Sequence, residues 1–349
     1  MRAIASAALL AKWLPGKLSE RRSTFMSTFG REFPIKGLPD IVLKEKYGWL
    51  RDLLYLWHPA GDAIGRTEYP QDSDYLRLSV RNGYLNFYRA GQSVAKVGVD
   101  RHGKLHAKIH NKYVYGKHGS GQSYVTISDA YPENPGSTRL VRYDGPARLR
   151  EWISEANKHS SKSKEKRFID LVVARNPNVI DLEMGLPAYS EIRHAPRMDL
   201  VAIEPMAERW RVVFWEAKLV SNPEARCRGE EKEPRVIRKQ LKDYCDWIGH
   251  KNHGDLVAQA YQHTCHLLVD LHAVARRLRP DIEELGAGIR QVAAPDASPL
   301  LIDDKPRLLV DARKENAFTK NGHLEKLHRM GLHVQMVQND DRMTLETHA

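Results

Sequence analysis

Two apolar runs of strand length, separated by a short polar break, constrain the fold of this chain more than any other feature. The runs cover residues 196–204 and 209–218. The break between them is short enough to join them as a hairpin, so the sequence predicts two neighbouring strands. Because side chains alternate between the two faces of a strand, the few charged residues in these runs can be assigned to a face.

The charged side chains of this hairpin are expected to meet near one end. Glu216 and Lys218 are two residues apart and share one face of the second strand. Asp199, near the start of the first strand, meets Glu216 if the pairing is antiparallel. Two close carboxylates raise one pKa unless a cation lies between them, and hard oxygen ligands with open positions suit Mg²⁺. The hairpin therefore has the outline of a metal site for hydrolysis.

The charged positions of this hairpin and of a downstream segment also form a known pattern. Pro-x-x-Asp followed by Glu-x-Lys resembles the signature of the PD-(D/E)XK nuclease superfamily, and a later Gln-x-x-x-Tyr resembles a helix of its RecB-like branch. The resemblance covers about residues 150–250. The residues that carry it are Asp199, Glu216, Lys218, Gln240 and Tyr244.

The resemblance implies a Mg²⁺-dependent deoxyribonuclease, a phosphodiester hydrolase, with Mn²⁺ as a second suitable ion and RNA not excluded as a substrate. Asp199, Glu216 and the main-chain carbonyl of Ala217 would hold one or two ions. Lys218 would orient or deprotonate the attacking water, or neutralise the transition state. The glutamine and the tyrosine would border the active site. By analogy the role would be restriction, recombination, repair or defence, and antiviral defence is the role we expect.

Two acids compete for the third carboxylate that the resemblance implies. Glu165 lies three, four, seven and eight residues before apolar positions, which puts it at one end of the buried face of a helix. Glu183 lies on a predicted strand, residues 179–184, whose Ile180, Leu182 and Met184 share the other face. Periodicity does not choose between Glu165 and Glu183.

Length and charge bound the architecture and the partners. A chain of 349 residues is longer than one usual domain. Its net charge of +11 attracts polyanions, so DNA is the expected partner. The three cysteines are too widely spaced for a metal site, and they are expected to be reduced thiols in a cytoplasmic protein. No apolar run is long enough to span a membrane.

We therefore predict an α/β protein in three parts. Residues 1–25 form a basic flexible tail, although a transit peptide or a start at Met26 stays open. Residues 26–144 form an N-terminal α+β domain with an antiparallel meander. Residues 145–349 form the nuclease-like domain, with a central mixed sheet flanked by helices of restriction-endonuclease type. A homodimer, or a place in a larger complex, is compatible with this division.

The meander suggests a second binding surface. Its strands alternate apolar and polar residues, and Asn82-Gly83 is typical of a tight hairpin turn. We expect four basic side chains on its solvent face to contact phosphates, and Tyr84 and Tyr88 to stack on bases. The four basic residues are Arg77, Arg81, Lys104 and Lys108. An ordinary solvated face is the alternative.

Two other functions remain open at this level. A protein can keep a nuclease fold without the chemistry and bind nucleic acid only. It can also serve as a scaffold in a larger complex. The complete set of Asp199, Glu216 and Lys218 favours the enzyme.

Overall fold

The computed structural model describes most of the chain between residues 29 and 347. The described ranges are 29–34, 38–42, 48–64, 74–115, 124–128, 140–160, 163–188, 196–227, 234–314 and 317–347. The predicted tail at residues 1–25 lies outside them. Within these ranges, the structure contains no helix with the length and hydropathy needed to cross a membrane.

The first sheet has six strands that follow the order of the chain. They are β1 (Arg77–Arg81), β2 (Tyr84–Arg89), β3 (Gln92–Val99), β4 (Leu105–His110), β5 (Tyr124–Ser128) and β6 (Leu140–Arg142). Strands β1 to β5 pair antiparallel and β6 joins β5 in parallel, which confirms the meander. Gly83 has a φ of +79° in the β1–β2 turn, as a tight hairpin requires.

Among the described residues, four helices accompany the first sheet. They are α1 (Leu38–Val42), α2 (Gly48–Tyr55), α3 (Asn111–Val114) and α4 (Pro146–Ser160). Helix α4 packs against β2 and β3 and against α2 and α3. Although α4 follows the predicted boundary at residue 145, most of its contacts are therefore with the N-terminal part of the chain.

The second sheet is mixed and contains the predicted hairpin. Its strands are β7 (Val179–Gly185), β8 (Arg197–Met206), β9 (Arg209–Leu219), β10 (Leu301–Ile302), β11 (Arg307–Asp311) and β12 (Val334–Val337), in the order β12-β11-β9-β8-β7 with β10 beside β9. Strands β7, β8 and β9 pair antiparallel, and Leu200 lies opposite Trp215. Strands β10 and β11 run parallel to β9, and β12 runs parallel to β11. The α/β class with mixed sheets is confirmed.

Helices cover both faces of the second sheet. They are α5 (Lys164–Arg175), α6 (Lys242–Ile248), α7 (His253–Leu278), α8 (Ala287–Val292), α9 (Ala317–Lys320) and α10 (His323–Arg329), with a π-helical turn at Ile237–Leu241 and single 3-10 turns at Pro223–Ala225 and Asp340–Arg342. Ser163 begins α5 as its N-cap and accepts a hydrogen bond from the main-chain N–H of Lys166. The predicted strand, helix and strand at the end of the chain are confirmed as β11, α10 and β12.

Two apolar clusters lie on opposite faces of the second sheet. The smaller cluster joins Phe168 and Val172 of α5 to Leu200 and Trp215. The larger cluster covers the other face and continues without interruption into the first sheet. The two sheets therefore share one core, although the sequence was divided at residue 145.

Strand β7 departs from simple alternation. A bulge lies between Val179 and Asp181, and Glu183 has a φ of +51°. As a result Leu182 packs in the smaller cluster, whereas Ile180 and Met184 pack in the larger one. The prediction that all three share one face is therefore wrong, because the bulge before Asp181 and the left-handed backbone at Glu183 both interrupt the alternation.

Buried ion pairs hold the charged side chains of β1, and the pair of Arg81 with Asp181 joins the two sheets. Asp181 accepts hydrogen bonds from Arg31, Arg81 and the hydroxyl of Tyr261. Arg77 pairs with Asp62 at 2.8 Å. These contacts place charged groups of β1 in the interior instead of at a surface.

The prediction that Arg77 and Arg81 face solvent is wrong. Arg77 and Arg81 are 2% and 8% exposed, and β1 is buried along its whole length. Strand β7 packs against β1, so the face that carries the arginines is covered too. Tyr88 is also buried, and its hydroxyl accepts a hydrogen bond from Arg81, which corrects its predicted stacking role. Lys104 and Lys108 are exposed as predicted.

Candidate active site

The hairpin brings the predicted acidic and basic groups together at the start of β8 and the end of β9. The main-chain N–H of Ala217 donates to Oδ2 of Asp199 at 2.8 Å. Nζ of Lys218 donates to Oε1 of Glu216 at 2.5 Å. Glu216 and Lys218 are 2% and 4% exposed, while Asp199 is partly exposed. The antiparallel pairing that sequence reasoning required is thus present.

Burial and the mutual charges of these three groups set their pKa values. Burial raises the pKa of Asp199 well above 3.8, and the neighbouring charge of Glu216 adds to the increase. Burial also raises the pKa of Glu216 from 4.5 to about 7, although Lys218 acts in the opposite direction. Burial alone would lower the pKa of Lys218, but the nearby carboxylates outweigh it and raise that pKa above 10.5. Lys218 therefore remains an ammonium group, and two carboxylates share one cation.

Gln240 lies in the π-helical turn, and its side-chain amide lowers the pKa of the Glu216 carboxyl, against the larger effect of burial. π-Helical turns inside helices are frequent at functional sites. Tyr244, one turn later on α6, is fully buried and donates to the main-chain carbonyl of Asp303 at 3.0 Å. Its ring packs against Phe214 with 4.7 Å between centroids. The structure thus brings Gln240 close to Glu216, whereas the hydroxyl of Tyr244 is directed to the main chain of Asp303.

Both candidates for the third carboxylate lie near the site, on different sides. Glu165, in the first turn of α5, raises the pKa of Glu216 by its charge. Its Oε2 accepts from Nδ2 of Asn222 at 3.5 Å. Glu183 acts instead on the pKa of Asp199 and forms an ion pair with Lys166 at 3.2 Å. Because Lys166 already neutralises Glu183, Glu165 is the better candidate.

The acid groups suit a hard cation, although a complete ligand shell is not formed. In the part of the chain that the structure describes, no three His, Cys, Asp or Glu side chains are arranged to hold a metal ion. The site offers the carboxylates of Asp199 and Glu216, whose oxygens match the preference of Mg²⁺ or Mn²⁺. Burial is the main cause of their raised pKa values, and the charges of neighbouring carboxylates add to it. The main-chain carbonyl of Ala217 remains a predicted third ligand.

Comparisons of the chain with protein-family models, with curated proteins and with solved structures give no match. The functional argument for this chain therefore depends on the residues of the site and on their geometry.

Sequence reasoning missed two residues at the edge of the site. Lys166 bridges Glu183 and the main-chain carbonyl of Gly91, to which it donates at 2.9 Å. Asn222 approaches Glu165 from the loop after β9. No local pattern could have identified either residue, because their partners come from other elements of the fold.

Proposed function

We propose that this chain is a divalent-metal-dependent nuclease of PD-(D/E)XK type that hydrolyses phosphodiester bonds in DNA. The observation that carries the proposal is the meeting of Asp199 and Glu216 on neighbouring antiparallel strands, with Lys218 bonded to Glu216. The order of elements supports a restriction-endonuclease-type fold, since a helix precedes three antiparallel strands and a helical crossover leads to a strand parallel to the third.

The proposed chemistry divides the work among the residues of the site. A bound Mg²⁺ would supply a nucleophile at neutral pH and stabilise charge on the phosphoryl oxygens. Asp199 and Glu216 would hold the ion, with the Asp199 carboxylate oriented by the main-chain N–H of Ala217. Gln240, whose amide acts on the pKa of Glu216, would help to orient that carboxylate.

Among the three roles considered for Lys218, its environment favours charge stabilisation. A general base must be able to lose its proton near neutral pH, but the neighbouring carboxylates raise the pKa of Lys218 above 10.5. An ammonium group beside the reacting phosphate would instead stabilise the negative charge that develops in the transition state.

A second candidate function is a non-catalytic protein that binds nucleic acid or acts as a scaffold. The burial of Glu216, at 2% exposure, and its bond to Lys218 favour this alternative. In such a protein the pair would serve only the stability of the sheet.

Cleavage of supercoiled plasmid and of linear DNA, with Mg²⁺, Mn²⁺ or EDTA, tests the proposal. We expect metal-dependent cleavage by the wild-type protein and loss of cleavage in Asp199→Asn and Glu216→Gln, because hard cations need negative oxygens. Glu325→Gln removes an exposed carboxylate from α10 and is the matched control. Undiminished cleavage by both site variants would refute the assignment. DNA binding without any cleavage by the wild type would favour the second candidate, and a parallel assay with RNA decides the substrate.

A further inference from the structure

One face of the first sheet carries basic and aromatic side chains, whereas the opposite face belongs to the apolar core. We call it the basic face. It comprises Tyr84, Lys96, His106, Lys108, His110, Tyr124 and Thr126. The register places Lys96 opposite Lys108, Lys108 opposite Thr126 and His110 opposite Tyr124, so these side chains project to the same side of the sheet.

In the described part of the chain, the strands that form the basic face supply no acid to balance its lysines. Strands β2, β3, β4 and β5 contain no Asp or Glu. Asp100, in the turn after β3, accepts hydrogen bonds from the main-chain N–H groups of His102 and Lys104. Like charges directly opposite each other in a sheet are destabilising, and Lys96 and Lys108 are such a pair. A bound polyanion would remove this repulsion.

Neutral aromatic rings lie between the lysines. The ammonium group of Lys96 is 4.1 Å from the ring centroid of Tyr124 and 5.4 Å from that of Tyr84. The ring of His110 is 5.0 Å from the ring of Tyr124. Burial, assisted by neighbouring lysines, lowers the pKa of His106 and lowers that of His110 to about 4, so both imidazoles are uncharged near neutral pH. Rings on an open sheet face are stacking platforms for unpaired bases.

Gly98 leaves room for one of these rings. It is opposite His106, and a Cβ at Gly98 would come within 2.9 Å of the imidazole. The absence of a side chain at this position therefore creates the space that the ring of His106 occupies.

Further lysines connect the basic face with the acids of the second sheet. Lys112, on α3 directly after β4, donates to Oε1 of Gln92 at 2.9 Å. Burial and the charge of Lys166 lower the pKa of Lys112, which indicates that the two ammonium groups are close. Lys166 in turn pairs with Glu183, whose charge acts on Asp199. A line of lysine side chains thus leads from the basic face to the edge of the candidate active site, where Lys166 is paired with Glu183.

We propose that the basic face binds single-stranded nucleic acid, with Lys96 and Lys108 at phosphates and with Tyr84 and Tyr124 stacked on bases. Lys112 and Lys166 continue this path toward Asp199. The delivery of the strand to the acids rests on the proposed nuclease function, whereas binding at the basic face does not. A single strand fits better than a duplex because only unpaired bases can lie on the tyrosine rings.

Binding is tested in the Glu216→Gln background with EDTA, so that cleavage does not contribute. A fluorescent oligothymidine of about 20 nucleotides, longer than one such binding site, is titrated at several salt concentrations. We expect Lys96→Gln and Lys108→Gln each to reduce the magnitude of the slope of log K against log salt by about 0.7. Lys320→Gln, an exposed lysine on α9 near the opposite edge of the second sheet, should leave the slope unchanged.

A second variant pair tests stacking. Tyr124→Ala should weaken binding about tenfold or more, while Tyr124→Phe keeps the ring and should bind as the parent does. Urea denaturation of each variant separates loss of binding from loss of folding. If Tyr124→Ala unfolds, the slopes of the two lysine variants still decide whether the basic face binds the oligonucleotide.

The outcomes distinguish this proposal from the nuclease function. Unchanged slopes in both lysine variants would overturn binding at the basic face, whatever the cleavage assay gives. Tighter, equally lysine-dependent binding of a duplex of the same length would overturn the assignment to single strands. Reduced slopes in the lysine variants, together with a wild-type protein that does not cleave DNA, would support the basic face and reject the nuclease.

Discussion

The raised pKa of Glu216 makes the stability of the metal-free protein depend on pH in a direction that can be worked out. The carboxyl changes from its ordinary value of 4.5 to about 7 on folding. The folded state therefore holds this proton more tightly than the unfolded state does. Because the folded state binds more protons between these values, the free energy of unfolding must fall as pH rises through this window.

The magnitude follows from the same change. An increase in pKa from 4.5 to about 7 corresponds to about 3 kcal/mol of destabilisation once the group is ionised. The raised pKa of Asp199 acts in the same direction, starting from its ordinary 3.8. The decrease in the free energy of unfolding should be complete above about pH 8. Near pH 4.5, most of this decrease should not yet have occurred.

The perturbation that isolates this effect is Glu216→Gln, since glutamine has nearly the same shape and cannot ionise. In EDTA, the free energy of unfolding should fall between about pH 4.5 and pH 8 in both proteins. We expect this fall to be about 1–3 kcal/mol smaller in the variant than in the wild type. Urea denaturation followed by tryptophan fluorescence measures it, with the exposed Glu325→Gln as control. Saturating Mg²⁺ should flatten the wild-type curve as well, because it binds the ionised form of the folded protein. Parallel curves for the wild type and Glu216→Gln would refute the reasoning.

Three further outcomes follow from other contacts. Asp181→Asn should destabilise the protein by about 3–5 kcal/mol in urea denaturation, because Arg31 and Arg81 lose their buried anion; retention of wild-type stability would contradict the role assigned to this cluster. Tyr244→Phe should lower the free energy of unfolding by about 1 kcal/mol, because it removes the hydrogen bond to Asp303, and it should leave kcat nearly unchanged. A large drop in kcat at wild-type stability would instead assign the hydroxyl a role in catalysis. Glu165→Gln should lower cleavage by orders of magnitude and raise the Mg²⁺ requirement, whereas Glu183→Gln should do much less; the reverse ranking would move the third carboxylate to β7.

The sequence by itself determined the hairpin and the core of the candidate site. Asp199, Glu216 and Lys218 lie on two apolar strands joined by a short turn, so local periodicity and short-range pairing were enough to bring them together. The same local information predicted the meander and the strand, helix and strand at the end of the chain.

Tertiary structure decided which faces of the strands are covered. It also decided which of the two candidate acids forms an ion pair with a lysine. Alternation separates the two faces of β1, but it does not show that β7 covers the face that carries Arg81. The partner of Arg81 is Asp181, 100 residues later in the chain. The ion pair between Lys166 and Glu183, which distinguishes the two candidate acids, likewise joins a helix to a strand. Such pairs depend on how distant elements pack, and periodicity within a single strand or helix carries no information about that packing.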